Sequence, residues 1–278
     1  IVSWGSTGPD GTRPGPGTLF EIGSITKTFT ATLLADMVRR SDVALDDPVA
    51  RFLPDSIGPI ARSGEEVTLG HLATHTSGLP HMAHRPADIY DPYADLTEDA
   101  LLVFADTVEL RDIPGHRYRY SNAGMALLGY ALARAAGRPF DALIRERILE
   151  PLGMNRTTFH PDDDLVPHLA RGHDDRGVAG YRTRTPVGLG MGGLYSTADD
   201  LLTWLDAQVG PPASDLEEAM RMTHEVRMTH TDGQQGLGWH VARLAGEPLL
   251  HHGGGSTGFT SQIAFDPAKG VGAVLLAL

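Results

Sequence analysis

The sequence predicts a mixed α/β (α+β) fold in which an antiparallel sheet is flanked by helices and carries an inserted helical lobe. In the middle of the chain, apolar residues recur mainly at the three- and four-residue spacing of helices. From Gln234 onward, short apolar runs alternate with Gly, Pro or Asp-Pro turns, which is typical of antiparallel strands. We expect residues 1–22 and 186–278 to form the sheet region and residues 23–185 the helical lobe, together one domain.

The predicted elements follow from this pattern in chain order. The first helix begins at Gly23-Ser24 and runs to about Met37 with its apolar residues on a helical repeat. Further helices are expected at 67–74, 97–106, 122–136 and 139–149, and from the capping-box-like Ser196–Asp199 to Gly210. Residues 1–19, 81–95 and 161–187 are rich in Gly, Pro and polar residues and are predicted to be loops.

Composition excludes several classes of function. The net charge is −12 without an arginine cluster, so nucleic acid is not an expected partner. No apolar run approaches the ~20 residues that a membrane helix needs. The absence of cysteine excludes disulfides and thiolate chemistry.

Both ends of the sequence look cut from a longer protein. It begins Ile-Val-Ser-Trp, without a start methionine or signal peptide, and stops inside the apolar run GVGAVLLAL. Localisation therefore cannot be read from targeting signals.

The strongest candidate for chemistry is Ser24-Ile-Thr-Lys27, at the start of the first helix. The two polar side chains are three residues apart and share one helix face. A serine hydroxyl becomes a good nucleophile when a neutral amine accepts its proton. Free N–H groups at a helix start favour an oxyanion and disfavour an ammonium. The alternative is that Ser24 caps the helix and Lys27 is a surface charge.

The rarity of lysine favours the catalytic interpretation. Only Lys27 and Lys269 are lysines among the 23 basic residues. Arginine cannot lose its proton under working conditions, whereas a desolvated lysine can. A chain that otherwise uses arginine has placed at residue 27 the one cation that can act as a base.

Two further groups fit a serine hydrolase. In Tyr120-Ser121-Asn122, the phenol could relay a proton if a lysine cation lowers its pKa. The asparagine amide could hold both the lysine and a substrate carbonyl. In the run His252 to Gly255, the glycines would let a substrate lie against the backbone, where a free N–H forms part of an oxyanion hole. The alternatives are a packed Tyr120 with a capping Asn122, and a plain glycine turn.

Other motifs are weaker candidates. His71 and His75 have the spacing of a helical metal pair but lack the glutamate of a zinc protease, so we interpret them as structural. The glycine-rich run Gly188–Gly193 is not followed by Lys-Ser/Thr, which argues against a phosphate-binding loop.

Taken together, the three groups resemble the motifs of the penicillin-recognising serine hydrolases, which include class C β-lactamases, D-Ala-D-Ala carboxypeptidases and D-aminopeptidases. Supporting phrases are LATHTSGLP, PGHRYRYSNAG, EPLGMNRTTF, GMGGLYSTADDLLTW and HGGGSTGF, and the likeness runs from about Phe20 to Phe265. The resemblance implies a β-lactamase/DD-peptidase-like fold. It also implies a small-molecule or peptide substrate, no metal or cofactor, and an extracytoplasmic location.

The resemblance also implies a role for each motif residue. Ser24 would be the acylated nucleophile, Lys27 the base of acylation and Tyr120 the proton relay. Asn122 would orient the substrate amide, while His252 and Gly254 would line the far wall of the site. Backbone N–H groups of Ser24 and Gly255 would form the oxyanion hole. An imidazole at residue 252 with an ordinary pKa of about 6.5 would bind a substrate carboxylate better when protonated.

Departures from the family pattern narrow the substrate class. The third motif begins with histidine rather than the lysine of typical class C β-lactamases, which favours a D-Ala-D-Ala carboxypeptidase or D-aminopeptidase. A β-lactamase, a carboxylesterase, a thioesterase that transfers its acyl group to an amine and a non-catalytic β-lactam sensor remain alternatives. The resemblance leads us to expect an N-terminal helix and strand before Val2 and a C-terminal helix after Leu278, which the given sequence does not cover.

Overall fold

A computed structural model describes residues 1–8, 11–83, 93, 95–173 and 187–278. The helices are α1 Thr26–Arg39, α2 Leu69–Ala73, α3 Glu98–Thr107, α4 Asn122–Ala136, α5 Phe140–Ile144, α6 Glu150–Leu152, α7 Ala198–Gln208 and α8 Asp215–His224. The strands are β1 Phe20–Glu21, β2 Ala61–Arg62, β3 Glu65–Glu66, β4 Tyr195–Ser196, β5 Met228–His230, β6 Gly233–Gln235, β7 His240–Leu244, β8 Glu247–Ser256, β9 Phe259–Asp266 and β10 Val271–Ala277.

The main sheet has six antiparallel strands in the order β10-β9-β8-β7-β6-β5. Strand β8 lies inside the sheet, where it pairs with β7 on one side and β9 on the other. Two smaller antiparallel pairs, β1 with β4 and β2 with β3, complete the strands of the described residues. The predicted antiparallel sheet is confirmed. The sheet begins before Gln234, with β5. This earlier start was not predicted because β5 and most of β6 are short and polar and give no apolar signal.

Helix α1 is the central helix of the core. It is buried on every side from Thr26 to Met37, and the Phe29 ring stacks on Trp204 of α7 at a centroid distance of 4.0 Å. Apolar spacing predicted this buried helix. The structure corrects its start, since Gly23–Ile25 forms a separate 3₁₀ turn before α1 begins at Thr26.

The other predicted helices are found with shifted ends. Helix α4 has the predicted bounds and ends at Gly137, whose φ of 63° suits glycine. The predicted helix at 139–149 is divided, because a π-helical turn, Arg145–Leu149, follows α5. Helix α7 is capped by Thr197 rather than by the predicted Ser196. Helix α8 was not predicted, since its acidic and basic residues obscure the few buried ones.

All three predicted loops are described only in part. Residues 9–10, 84–92, 94 and 174–186 lie outside the described residues. Within the predicted loop at 161–187, the short segment Val166–His168 forms a 3₁₀ turn.

One main hydrophobic cluster joins the helices to the sheet. Its buried members include Phe29 of α1, Leu128 of α4, Trp204 of α7 and Ile263 of β9. The proposed division of the chain into a sheet region and a helical lobe stays a prediction. Among the described residues, no helix has the length and apolar character needed to cross a membrane.

The segment around Gly190 contacts α4 so closely that a side chain does not fit. A Cβ atom at Gly190 would lie 2.4 Å from the Met125 carbonyl oxygen and 2.9 Å from the Gly129 Cα atom. The Thr30 hydroxyl of α1 also donates to the Gly190 carbonyl oxygen at 2.8 Å. Gly190 thus fixes its segment between α1 and α4.

We predict that Gly190→Ala lowers the free energy of unfolding by about 1–3 kcal/mol, because the added methyl group must displace backbone atoms. Gly58→Ala is the control, since a Cβ atom there meets nothing within 4 Å. The control should stay within about 0.5 kcal/mol of the parent protein. Urea unfolding of the three proteins measures the difference, and equal stabilities would contradict the proposed close packing.

Candidate active site

The serine of the first motif lies in the 3₁₀ turn before α1 and does not cap the helix. Neither Ile22 nor Ile25, the residues at the cap positions, makes a side-chain capping bond. The Ser24 hydroxyl oxygen instead accepts a hydrogen bond from the Lys27 amine at 2.8 Å. The capping alternative for Ser24 is therefore wrong in this structure, and its hydroxyl is available to a base.

Lys27 is fully buried, so the surface-charge alternative is also wrong. Its amine donates to the Ser24 hydroxyl and, at 2.6 Å, to the Met191 carbonyl oxygen. Burial disfavours the charged amine and lowers the pKa of Lys27 to about 7. At neutral pH a large fraction of the protein thus holds a neutral amine against the serine, which is the state that a general base requires.

Tyr120 lies on the other side of Ser24. Its hydroxyl is hydrogen-bonded to the Ser24 side chain, and its ring centroid lies 5.1 Å from the Lys27 amine nitrogen. Burial raises the pKa of Tyr120 above its usual value, although the bond to Ser24 acts in the opposite direction. The condition of a lysine-lowered pKa is not met, because burial of the phenol raises the pKa of Tyr120 instead. In the free enzyme Tyr120 therefore remains a proton donor.

Asn122 is the first residue of α4 and is nearly buried. Ser121, not Asn122, caps the helix, with its hydroxyl oxygen accepting from the Gly124 N–H at 2.9 Å. The Asn122 amide nitrogen donates to the Tyr93 hydroxyl at 2.8 Å. Its buried carbonyl oxygen has no hydrogen-bond partner within the described ranges. The side chain thus has an unused acceptor two residues after Tyr120.

The glycines of the third motif bring β8 against the Ser24 turn. A Cβ atom on Gly254 would lie 2.0 Å from the Ile22 carbonyl oxygen. A Cβ atom on Gly23 would lie 2.8 Å from the Gly255 nitrogen. Gly23 has a φ of 51°, in the left-handed region that suits glycine. This close approach brings the Gly255 N–H near the residue that precedes the nucleophile, as an oxyanion hole requires.

His252 is buried on the same sheet, with 1 % of its surface exposed. Its Nδ1 atom lies 2.8 Å from the Gly253 carbonyl oxygen, and its ring centroid lies 6.4 Å from that of Tyr120. Burial, together with His240 and Lys27, holds the pKa of His252 well below its ordinary value. The expectation of an imidazole that titrates near 6.5 is therefore wrong.

Three contacts at the site were not predicted from the sequence. The Met191 carbonyl binds Lys27, Tyr93 binds Asn122, and the His240 ring lies 6.3 Å from Tyr120. Met191 lies in a phrase that resembles a family signature, so the sequence indicated that its segment is important. Nothing in the sequence indicated that the Met191 carbonyl binds Lys27. The sequence offered no indication for Tyr93 or His240, because each reaches the site through tertiary packing.

The two histidines interpreted as structural have backbone roles. The His71 ring accepts from the Thr68 N–H at 3.3 Å and closes a capping box at the start of α2. The His75 ring accepts from the Ser121 N–H at 3.3 Å and packs 4.4 Å from the Tyr120 ring. His75 therefore supports the loop that carries the second motif.

Comparison with known proteins agrees with this geometry. The beta-lactamase family profile matches residues 3–277. The chain belongs to the beta-lactamase family. It is 32 % identical to the D-alanyl-D-alanine-carboxypeptidase/endopeptidase AmpH of Escherichia coli K12, over 99 % of this chain and 74 % of AmpH. This member of the family is a serine hydrolase of the penicillin-recognising superfamily.

Solved structures give the same fold. A beta-lactamase/D-alanine carboxypeptidase from Yersinia pestis superposes with a TM-score of 0.84 at 27 % identity, covering 99 % of this chain and 82 % of that one. The D-alanine carboxypeptidase AmpC from Burkholderia cenocepacia superposes with a TM-score of 0.82 at 26 % identity, covering 99 % of this chain and 83 % of that one. The β-lactamase/DD-peptidase fold implied by the motifs is therefore confirmed.

We predict that Ser24→Ala abolishes both covalent labelling by a fluorescent penicillin and turnover, because we expect the Ser24 oxygen to be the atom that becomes acylated. Ser121→Ala is the matched control from the second motif. It should lose about 1 kcal/mol of stability with the helix cap yet still be labelled. Mass mapping of the labelled peptide checks the site, and a label on any other serine would refute the assignment.

Lys27 should set the acid limb of the pH profile. Below its pKa of about 7 the amine is protonated and cannot accept the Ser24 proton. We predict that kcat/KM for a neutral ester falls about tenfold per pH unit below pH 7 and is level above it.

Lys27→Arg should reduce acylation by ~10²–10⁴-fold, nearly as much as Lys27→Met, because arginine cannot become neutral. Lys269→Arg is the control at the other lysine, which is paired with Asp266 at the surface. It should leave the rate unchanged. An arginine variant at residue 27 with near-parental acylation would mean that the base lies elsewhere.

Proposed function

We propose that this enzyme hydrolyses D-alanyl peptide bonds through an acyl-enzyme at Ser24. The observation that carries the proposal is the hydrogen bond from a buried amine of low pKa to the Ser24 hydroxyl. Histidine in place of lysine at residue 252 and the likeness to the carboxypeptidase/endopeptidase AmpH support the D-alanyl peptide class.

In acylation, the Ser24 oxygen attacks the substrate carbonyl carbon while its proton passes to the neutral Lys27 amine. The oxyanion that forms would be held by the backbone N–H groups of Ser24 and Gly255. The bond to the leaving nitrogen then breaks as the Tyr120 phenol protonates it, and the proton on Lys27 restores the phenol. The raised pKa of Tyr120 suits this role, because a phenol that resists ionisation returns quickly to its protonated state.

Deacylation repeats the step with water as the nucleophile. A water molecule between Tyr120 and Lys27 would lose its proton to the amine and attack the ester carbon. The bond from that carbon to the Ser24 oxygen would then break, and the Lys27 ammonium would return the proton to Ser24, which restores the hydroxyl and the neutral amine. The free acceptor oxygen of Asn122 fits a role in orienting the N–H group of a substrate amide. A D-alanyl peptide of the cell wall would place the enzyme outside the cytoplasm.

A carboxylesterase is the second candidate, and the uncharged state of His252 favours it. An ester needs no cation at the far wall, whereas every β-lactam antibiotic of the penicillin type brings a carboxylate there. The same observation counts against an efficient β-lactamase. An uncharged His252 is compatible with a substrate in which the D-alanyl peptide bond lies inside a longer chain. This is the kind of bond that an endopeptidase cleaves.

A substrate panel tests the proposal. We predict that D-alanyl peptides turn over with kcat/KM at least tenfold above that of nitrocefin, while a fluorescent penicillin labels Ser24 and is released slowly. The panel adds p-nitrophenyl esters and an acceptor amine, with Ser24→Ala as the blank for each compound.

Each contrary result identifies an alternative. Fastest turnover of nitrocefin would show a β-lactamase, and turnover of esters alone would show an esterase. Transfer of the acyl group to the amine would show a thioesterase-type transferase. Labelling without any turnover would show a sensor.

A further inference from the structure

His75 lies directly after helix α2 in a backbone conformation that few residues adopt. It follows the C-cap residue Thr74 and has a φ of 56°, in the left-handed region where glycine normally ends a helix. The other non-glycine residues with a positive φ in the described part of the chain are Ser41, Ser63 and Ala245, and all three are exposed. His75 is instead completely buried. A strained and buried residue of this kind points to a task for its side chain.

His75 holds three consecutive residues of the loop that carries the second motif. Its backbone carbonyl oxygen accepts from the Arg119 N–H at 2.7 Å. Its ring centroid lies 4.4 Å from that of Tyr120, with 36° between the ring planes. Its Nδ1 atom accepts from the Ser121 N–H at 3.3 Å. A single residue thus binds the N–H groups of both neighbours of Tyr120 and packs against the phenol between them.

The contact with His75 is the shortest ring contact that Tyr120 makes within the described ranges. The other rings near Tyr120 lie farther away, at centroid distances of 5.8 Å for His81, 6.3 Å for His240 and 6.4 Å for His252. The direction in which the Tyr120 hydroxyl points therefore depends more on His75 than on any of these rings.

The imidazole of His75 cannot exchange protons with a substrate. Because Nδ1 accepts from the Ser121 N–H, the proton of the neutral ring is on Nε2. The Nε2 atom is buried, and no part of the residue is exposed to solvent. His75 can therefore affect the chemistry only through the residues that it holds.

The nucleophile and its base are held independently of His75. The Lys27 amine is bound to the Ser24 hydroxyl and to the Met191 carbonyl oxygen, and neither lies in the loop that His75 contacts. Loss of the His75 ring should therefore leave the attack of Ser24 intact. It should disturb only the step in which the Tyr120 hydroxyl, hydrogen-bonded to Ser24, gives up its proton.

We propose that His75 is a positioning residue that holds the Tyr120 phenol on Ser24, and that its ring is needed wherever the leaving group must take a proton. The inference rests on the proposed acyl-enzyme function and specifies which substrates depend on this contact. When an amide or an alkyl ester is cleaved, its carbon–nitrogen or carbon–oxygen bond breaks as the Tyr120 proton passes to the departing atom, and the proton on Lys27 restores the phenol. A p-nitrophenolate is a weak base and leaves without a proton.

Two esters of the same N-acyl-D-alanine, one alkyl and one p-nitrophenyl, isolate this step. Both form the same acyl-enzyme, and kcat/KM reports the formation of that acyl-enzyme. We expect His75→Asn to lower kcat/KM for the alkyl ester by about tenfold or more, which is part of the ~10²–10⁴-fold that a proton transfer contributes. For the p-nitrophenyl ester we expect less than about a threefold loss. Equal losses on the two esters, or no loss on either, would overturn the proposal.

His75→Asn is chosen because it removes the ring and little else. Asparagine tolerates a positive φ, and its Oδ1 atom can accept from the Ser121 N–H in place of Nδ1. The ratio of the two ester rates is measured on one preparation, so any unfolded fraction cancels. His75→Gln, which is closer to histidine in volume, takes its place if the asparagine variant does not fold, with the same expected loss.

His75→Phe is the complementary variant. It keeps a ring beside Tyr120 but removes the acceptor for the Ser121 N–H. We expect the ratio of alkyl to p-nitrophenyl ester rates to return to within about threefold of the parent value. A ratio as low as that of His75→Asn would mean that the ring contact does not position the phenol, and would overturn the proposal.

A double-mutant cycle shows whether His75 acts through Tyr120. Tyr120→Phe removes the proton donor and should itself slow the alkyl ester far more than the p-nitrophenyl ester. When Tyr120→Phe and His75→Asn are combined, the alkyl-ester rate should fall less than about threefold below that of Tyr120→Phe alone. Losses that multiply would mean that His75 acts independently of the phenol, which contradicts the proposal.

His71→Gln is the matched control, since His71 lies in α2 and its ring binds the Thr68 backbone N–H. Loss of that bond should change the rates of both esters by the same factor. A fall confined to the alkyl ester would assign the effect to general loosening of this segment and not to His75.

The ester pair keeps this inference separate from the proposed function. If D-alanyl peptides are cleaved but the ester ratio is unchanged in His75→Asn, the role of His75 is refuted and the proposed function stands. If the parent enzyme cleaves the esters and no D-alanyl peptide, and the ratio falls as expected, the proposed function fails and the role of His75 stands.

Discussion

The burial of one lysine amine determines how the rest of this site works. Removing Lys27 from water destabilises its charged form, so the amine can accept a proton from Ser24 near neutral pH. The same burial has a cost in stability. The Lys27 amine has a pKa near 10.5 in the unfolded chain and of about 7 in the folded protein. Between these two pH values the unfolded state therefore binds more protons than the folded state. Stability therefore rises with pH across that window and loses this contribution as the pH falls toward 7.

Close backbone packing assembles the three motifs around that amine. Gly23 and Gly254 leave no room for side chains between the Ser24 turn and β8, and Gly190 does the same between its own segment and α4. The Gly190 contact places the next residue, Met191, where its carbonyl binds the lysine. Glycine at these positions thus determines the distances on which the chemistry depends. Each is a site where a methyl group would move a catalytic atom.

Local patterns predicted part of this structure, and tertiary contacts explain the rest. The apolar repeat of α1 predicted a buried helix, and the spacing of Ser24 and Lys27 within one turn, together with the rarity of lysine, indicated a nucleophile beside a base. The ordinary pKa expected for His252 was wrong, and the lysine-lowered pKa considered for Tyr120 is not found, because both values depend on how deeply neighbouring strands and loops bury the two side chains. Helix α8 was missed because only one narrow side of it meets the core. Roles for the third motif came from resemblance, and the structure adds the contacts that give them a physical basis.

The two lysines of the chain lie in opposite environments, and this has a practical consequence for chemical modification. Lys269 is largely exposed, and its bond to Asp266 raises its pKa, so its amine is protonated and poorly nucleophilic at pH 7.5. Lys27 is mostly neutral at that pH but enclosed. A compact amine-reactive electrophile that follows the substrate path would acylate Lys27 first and inactivate the enzyme. A bulky activated ester at pH 9 or above would react with Lys269 rather than with the enclosed Lys27, and would leave the amine beside Ser24 intact.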